Sequence, residues 1–124
     1  MRESITLSPP NSLILVMDHS FGELPQVMGG RLVAFTDSCV AVGTLSEADG
    51  VTSITLADDL QVIDEPSALA FDGVLHTPAF ELSVCNVRNE KLLTLQLPTP
   101  RSKVRIFVND KSEPDRIMVY AGPA

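Results

Sequence analysis

Short segments in which apolar and polar residues alternate dominate this sequence. Successive side chains in a strand point to opposite faces. Residues 103–108 would therefore place their three aliphatic side chains on one face of a strand and their two basic side chains on the other. Residues 92–97 alternate in the same way. Turn-forming residues separate such segments, and no stretch keeps a helical apolar period for three turns. The pattern predicts ten strands, at residues 5–7, 13–18, 31–35, 39–44, 51–56, 73–77, 80–87, 92–97, 103–109 and 116–120.

This succession of strands and turns predicts the fold class. Short strands separated by turns are typical of an all-β protein, so we expect an antiparallel β-sandwich, or a barrel-like variant of one, with at most one short helix. The length of 124 residues fits a single β-sandwich domain over residues 1–124. Residues 92–97 and 103–109 are expected to pair as a central hairpin, because the prolines between them cannot donate to a ladder and belong in the connection.

Two segments depart from the strand pattern. Residues 18–30 carry Phe21, Leu24 and Val27 at nearly helical spacing over barely two turns, so a short helix and an ordered loop both remain open. Residues 71–73, with the sequence Phe-Asp-Gly, are expected to form a turn.

The apolar segments and the cysteines indicate the environment of the protein. No apolar run approaches the roughly 20 residues of a membrane span, and the first residues lack the pattern of a signal peptide. We therefore expect a cytoplasmic protein that does not cross a membrane. Cys39 and Cys85 lie in apolar segments far apart in the sequence, without the spacing of a metal or redox motif, and are expected to be buried free thiols.

Charge is distributed unevenly along the chain. The net charge is −7, and the segment between Arg31 and Arg88 contains neither lysine nor arginine. The first 72 residues hold 11 of the 16 acidic residues but only two of the nine basic ones. An acidic protein of this kind is unsuited to binding nucleic acid, whose phosphates attract positive charge, and a basic protein partner is favoured instead.

The acidic residues of this lysine- and arginine-free segment are the candidate partner-binding site. The densest group is Asp58, Asp59, Asp64 and Glu65, and we expect these four residues to belong to any acidic binding face. The alternative is that the carboxylates only keep exposed loops soluble, which is the usual role of charged runs.

The sequence offers few residues for catalysis or for metal binding. Asp18, His19 and Ser20 are the residue types of a hydrolytic triad, but neighbouring side chains on an extended segment diverge, so turn hydrogen bonds are the simpler explanation. With His76 as the other histidine, we expect no catalytic residue, no metal site and no cofactor. The basic residues near 101–105 are expected to pair with carboxylates on neighbouring strands.

The layout of the chain resembles that of the competence protein J family, small bacterial inhibitors of a DNA-entry nuclease, and of related β-sandwich immunity-type proteins. The likeness lies in an early strand that ends in an acid, a Ser-Phe turn, a strand pair and two late aliphatic strands. These features correspond to residues 13–18, 20–21, 33–35 with 40–44, 95–98 and 105–108. The resemblance implies a stoichiometric inhibitor or immunity protein, and no functional residue is carried over from it.

These observations favour a non-catalytic module that binds a basic protein, such as a nuclease or a toxin. A small enzyme with a site around Asp18, His19 or His76 is the alternative from another class, and a pocket that holds one of them with a second polar group would favour it. A self-associating structural module is the third possibility, and a large exposed apolar patch lying across a two-fold axis would favour it.

Overall fold

The computed structural model describes residues 2–59 and 68–124, and these residues form ten β-strands. The described residues contain one short 3-10 turn, Pro10–Ser12, and no helix long and apolar enough to span a membrane. The prediction of an all-β protein is therefore confirmed. The strands are β1 (Arg2–Leu7), β2 (Leu13–Met17), β3 (Val33–Phe35), β4 (Cys39–Gly43), β5 (Thr52–Ala57), β6 (Ala68–His76), β7 (Glu81–Cys85), β8 (Lys91–Gln96), β9 (Arg101–Val108) and β10 (Arg116–Pro123).

The strands form two five-stranded sheets that pack as a sandwich and do not close into a barrel. Sheet 1 has the order β1-β5-β10-β9-β6, and sheet 2 has the order β3-β4-β2-β7-β8. Neighbouring strands pair antiparallel except β5 and β10, which run parallel. The edge strands β3 and β6 lie on the same side of the sandwich, where the Phe35 and Phe71 rings pack edge to face with centroids 5.2 Å apart.

The core lies between the two sheets and is almost entirely aliphatic. Val104 and Ile106 of sheet 1 are fully buried in one cluster with Leu93 and Leu95 of sheet 2. The predicted orientation of both segments is therefore confirmed, because their alternate apolar residues enter the same core from opposite sides.

The predicted hairpin between residues 92–97 and 103–109 is wrong. Strand β8 pairs with β7 in sheet 2, whereas β9 pairs with β10 and β6 in sheet 1. The short connection between β8 and β9 crosses from one sheet to the other instead of folding back within one sheet. Two strands in different sheets of a sandwich show the same alternation as two strands that pair, because both send alternate residues into one core, so the pattern could not distinguish the two arrangements.

The turn predicted at residues 71–73 is also wrong, because this segment lies inside β6. The register of β6 against β9 shifts between Leu69 and Phe71, which marks a β-bulge. A Cβ atom at Gly73 would lie 2.8 Å from the Phe71 ring. The glycine is therefore explained by the close approach of that ring and not by a turn.

The segment at residues 18–30 is an ordered loop without a helix, which settles the alternative left open by its sequence. It joins β2 to β3, and its Met28 packs against a second apolar cluster on the outer face of sheet 2, formed by Leu15, Met17, Cys39, Ala41 and Cys85. The three residues at helix-like spacing do not share this packing, because Phe21, Leu24 and Val27 are each more than half exposed.

Candidate functional site

A cleft of about 540 Å³ opens at the end of the sandwich where β3 turns into β4 and where β6 ends. Three segments form its wall: the β2–β3 loop, the β3–β4 turn and the start of the β6–β7 connection. Its volume falls in the range of roughly 300 to 1,000 Å³ that is usual for ligand pockets. The lining residues of this end cleft are Phe21, Glu23, Thr36, Asp37, Ser38, His76 and Pro78.

Hydrogen bonds hold the three wall segments together. The Glu23 backbone N–H donates to the Ser38 hydroxyl at 2.9 Å, and the Thr36 hydroxyl donates to the Glu23 carbonyl at 2.6 Å. On the other side, the His76 backbone N–H donates to the Asp37 carbonyl at 2.9 Å. The β3–β4 turn is thereby fixed to both of its neighbours, so the cleft is formed before any partner arrives.

The buried carboxylate of Asp18 anchors two of the segments that form the cleft wall. Asp18 is fully buried at the end of β2, and its side chain accepts the backbone N–H groups of Ser20 at 3.1 Å and Ala79 at 2.7 Å. Its carbonyl also accepts the N–H groups of Phe21 and Gly22. The turn role predicted for Asp18 is confirmed, and the contact with Ala79 ties the β2–β3 loop to the β6–β7 connection.

The two histidines lie in different settings. His19 Nε2 is 2.8 Å from the carbonyl oxygen of Asn89, away from the end cleft. His76 lines the cleft beside Asp37 and Ser38, but within residues 2–59 and 68–124 its ring forms no hydrogen bond with either side chain. A nucleophile and its base require a separation near 2.6 to 3.2 Å, and the described cleft contains no such pair.

The acidic side chains of the end cleft differ from those elsewhere in the protein. The Glu23 and Asp37 carboxylates are exposed and have no hydrogen bond or ion pair with any other described residue. In contrast, Asp72 pairs with Lys103 at 2.8 Å, and Glu81 pairs with Lys91 at 2.6 Å.

The paired acids show the effect of their partners on ionisation. The hydrogen bond from Lys103 holds the pKa of Asp72 below its usual value, and the hydrogen bond from Lys91 does the same for the pKa of Glu81. Arg105 Nε also lies 3.5 Å from Asp72, so the predicted pairing with a neighbouring carboxylate is confirmed for Lys103 and Arg105, whereas Arg101 has no ion pair with a described residue. The charge of Glu23 and Asp37 is by comparison not compensated by any described residue.

Exposed apolar residues occur in the same chain segments as the residues that line the end cleft. Phe21 lines it and is 55% exposed, and Leu24 follows Glu23 in the same loop. Phe35, which is 64% exposed, precedes the wall residue Thr36, and Phe80 lies two residues after the wall residue Pro78. Contiguous exposed apolar residues beside polar ones are typical of protein-interaction surfaces.

Asp58 and Asp59, the two described members of the predicted partner-binding group, do not line this cleft. Asp58 and Asp59 are exposed directly after β5, and the strand order places β5 three strand spacings, about 14 Å, from β6. Asp64 and Glu65 lie outside the described residues. No group of three or more potential metal ligands occurs within the part of the chain that the structure describes.

The sequence pointed to Asp37 only as one acid of the lysine- and arginine-free segment, and it did not single out Glu23 or Phe21 as site residues. One signal was available: Thr36, Asp37 and Ser38 form a short polar turn between two predicted strands. Nothing in the sequence showed that this turn and the loop around Glu23 meet, because their contact depends on hydrogen bonds between distant segments.

Comparisons with known proteins identify the fold. No protein-family model matches the chain, and no curated protein matches it. Among solved structures, "Crocagin biosynthetic gene J" covers 96% of this chain and 94% of its own, with 12% identity and a TM-score of 0.47. ComJ from Bacillus subtilis, the inhibitor of the DNA-degrading activity of NucA, matches 98% of this chain and 96% of its own with a TM-score of 0.68 and 10% identity. The chain therefore shares the fold of ComJ, which confirms the resemblance in layout.

Proposed function

We propose that this protein is a non-catalytic, stoichiometric inhibitor, of the immunity-protein type, that binds a basic nuclease or toxin. The observation that carries this proposal is the match with ComJ, a nuclease inhibitor, over 98% of this chain and 96% of the other. Because nearly the whole of both chains is covered, the shared feature is the complete inhibitor fold and not a common fragment.

The charge of the protein supports a nuclease as the partner. A nuclease attracts DNA by presenting positive charge to the phosphates. An inhibitor with a net charge of −7 is complementary to that same surface and is repelled by the DNA itself. An acidic inhibitor therefore competes with the substrate of a nuclease without binding the substrate.

In this proposal four carboxylates steer the partner toward the protein before contact: those of Asp58, Asp59, Asp64 and Glu65. Asp58 and Asp59 are exposed directly after β5 and do not line the end cleft. Charges at the rim of an interface act mainly on the rate of association and contribute less to the lifetime of the complex.

Titration of nuclease activity tests the proposal. NucA is the first nuclease to use, and a nuclease captured from a lysate of the native host on the immobilised protein is the second. We expect DNA degradation to fall linearly with added protein and to stop near one equivalent. A loss of activity that continues with time at substoichiometric amounts would indicate an enzyme, and undiminished degradation by both nucleases would refute the inhibitor role.

A control separates inhibition from protection of the DNA. The protein alone is mixed with labelled DNA in a gel-shift assay at the concentrations that stop degradation. We expect no shift, because the global charge repels phosphates. A shift would mean that the protein protects DNA by covering it.

A further inference from the structure

We infer that the end cleft receives an arginine-bearing apolar segment of the partner, with the guanidinium held by Glu23 and Asp37 against the Phe21 ring. This inference rests on the proposed function and specifies the contact that the inhibitor makes. It places the docking site apart from the acids at the end of β5.

The end cleft carries negative charge that no described residue compensates. Glu23 and Asp37 face one solvent-accessible space, and within the described residues neither carboxylate has a cationic partner or a hydrogen-bond donor. Two such groups repel each other and favour a cation placed between them. A guanidinium matches this arrangement better than an ammonium, because its five N–H donors are spread in a plane and can serve two carboxylates at once.

Phe21 forms an aromatic part of the cleft wall. Phe21 lines the cleft with 55% of its surface exposed, although a phenylalanine has no polar group that benefits from water. Guanidinium groups stack on aromatic faces, and the attraction increases when water is excluded. The aliphatic stem of an arginine would cover the ring while its charged end reaches the carboxylates.

Apolar residues next to the wall extend the site beyond the space that one arginine side chain of the partner would fill. Leu24, Phe35 and Phe80 are each about half exposed or more; Leu24 and Phe35 adjoin wall residues in the chain, and Phe80 lies two residues beyond the wall residue Pro78. Energetically dominant contacts in protein interfaces combine arginine with aromatic residues in such settings. The cleft volume of about 540 Å³ admits several side chains, so the expected occupant is a short segment in which apolar residues flank the arginine.

Hydrogen bonds hold the wall of the cleft in place. Side-chain and backbone hydrogen bonds fix the loop at Glu23 to Ser38 and Thr36, and the carboxylate of Asp18 fixes the loop to Ala79. These bonds use the backbone of Glu23 and leave its carboxylate unoccupied. A partner therefore meets a formed site and does not have to order it on binding.

Peptide binding measured by NMR tests the inference. The probe is the peptide acetyl-Ala-Leu-Arg-Leu-Ala-amide, and the matched probe has citrulline in place of arginine, which preserves shape and removes charge. We expect saturable shifts of the backbone amides of Glu23, Ser38 and His76 with the arginine peptide, and affinity at least about tenfold weaker for the citrulline peptide, a difference of about 1.4 kcal/mol. Absence of saturable shifts at these amides would overturn the inference.

Paired variants of the protein separate local contact from general charge. The double variant Glu23→Gln with Asp37→Asn removes two negative charges from the cleft. The two wild-type carboxylates have no hydrogen bond or ion pair with another described residue, so we expect the fold to be preserved. The control variant Asp49→Asn with Glu113→Gln removes the same charge from exposed residues at the opposite end of the sandwich. We expect the first variant to lose peptide binding and the second to retain it, and equal losses would contradict a specific site.

Nuclease inhibition supplies an independent readout. With a nuclease that the wild-type protein inhibits, we expect the cleft variant to dissociate at least about tenfold faster and the control variant to behave like wild type. Unchanged inhibition by the cleft variant would reject the cleft as the contact and leave the inhibitor role intact. Peptide binding at the cleft without inhibition of any nuclease would instead retain the site and reject the inhibitor role.

Discussion

Asp18 connects two loops through a single buried carboxylate. Burying a charge is costly unless hydrogen-bond donors replace the lost water, and here the N–H groups of Ser20 and Ala79 are those donors. The side chain is therefore both a structural anchor and a positioning residue for the end cleft, although it does not line the cleft.

Replacing Asp18 by Ala should destabilise the protein and weaken the cleft. The substitution leaves two part-buried backbone N–H groups without their acceptors, and roughly 1 to 3 kcal/mol, the cost of a fully buried unsatisfied donor, is the upper bound for each. Urea unfolding should show a lower midpoint, and the arginine peptide should bind more weakly even in conditions where the variant is folded. Asp49→Asn, on an exposed turn, is the matched control. A midpoint equal to that of wild type would mean that the hydrogen bonds of Asp18 contribute nothing to the fold.

The two faces of β9 should respond differently to truncation. Ile106 is fully buried between the sheets, so Ile106→Ala should cost roughly 2 to 5 kcal/mol of unfolding free energy. Lys103 lies on the solvent side and pairs with the exposed Asp72, so Lys103→Ala should have a much smaller effect because water screens the pair. Denaturant titration of both variants measures the difference. Equal losses would contradict the orientation of the strand.

At the scale of elements, the alternation of apolar and polar residues predicted where strands occur but not which strands pair. Each of the ten predicted segments overlaps an observed strand. The pairing of β8 with β9 was wrong because alternation reports only which residues reach the core. The first half of β6 was missed because Ala68 to Ala70 lack β-branched residues and because Asp72-Gly73 has the composition of a turn.

The end cleft was beyond prediction for a related reason. Its walls come from a loop, a turn and a strand end that are distant in sequence, and hydrogen bonds between backbone and hydroxyl groups bring them together. Such bonds leave no periodic pattern in the sequence. His76 was considered only as a catalytic residue, and its position beside unpaired carboxylates became visible only in the structure.

The outer apolar face of sheet 2 determines the reactivity of the cysteines. Cys39 on β4 and Cys85 on β7 are buried free thiols, as predicted, and β2 lies between them. Their Cα atoms are therefore two strand spacings apart, about 10 Å, which exceeds the roughly 7 Å limit for a disulfide. Burial raises the pKa of the Cys39 thiol to about 12 and that of the Cys85 thiol to about 11.

Both thiols should resist labelling in the folded protein. The thiolate is the reactive species, and at pH 8 it is scarce for groups with such raised pKa values. With an aromatic disulfide reagent, we expect slow reaction in native buffer and rapid reaction of two thiols per chain in denaturant, without prior reduction. Rapid labelling of the native protein would mean that the loop over sheet 2 opens readily. Fewer than two thiols after denaturation would indicate a disulfide.

At the scale of the whole molecule, two kinds of acidic residue coexist. Those on the strands, such as Asp72 and Glu81, are neutralised by basic neighbours. Those of the end cleft have no cationic partner among the described residues. The net charge of −7 therefore acts on a partner at two ranges, through a long-range field and through local contacts in the cleft.

Neutralising Asp58, Asp59, Asp64 and Glu65 with Asn or Gln should slow association with the partner and leave folding nearly intact. These acids belong to the segment without lysine or arginine, and their field attracts a basic surface before contact. The attraction is screened at high salt, since the screening length falls from about 10 Å at 0.1 M to about 3 Å at 1 M. The difference between wild type and variant should therefore be large at low salt and vanish at high salt.

Stopped-flow association with the inhibited nuclease, measured at several salt concentrations, tests this expectation. The dissociation rate should change little for this variant, whereas the cleft variant Glu23→Gln with Asp37→Asn should show the reverse behaviour, with faster dissociation and a smaller change in association. This contrast follows from position, because charges outside the contact act on the encounter and charges inside it act on the lifetime of the complex. Identical association rates and salt slopes for wild type and the fourfold variant would mean that these acids are only a solvated surface and that the field of the protein arises elsewhere.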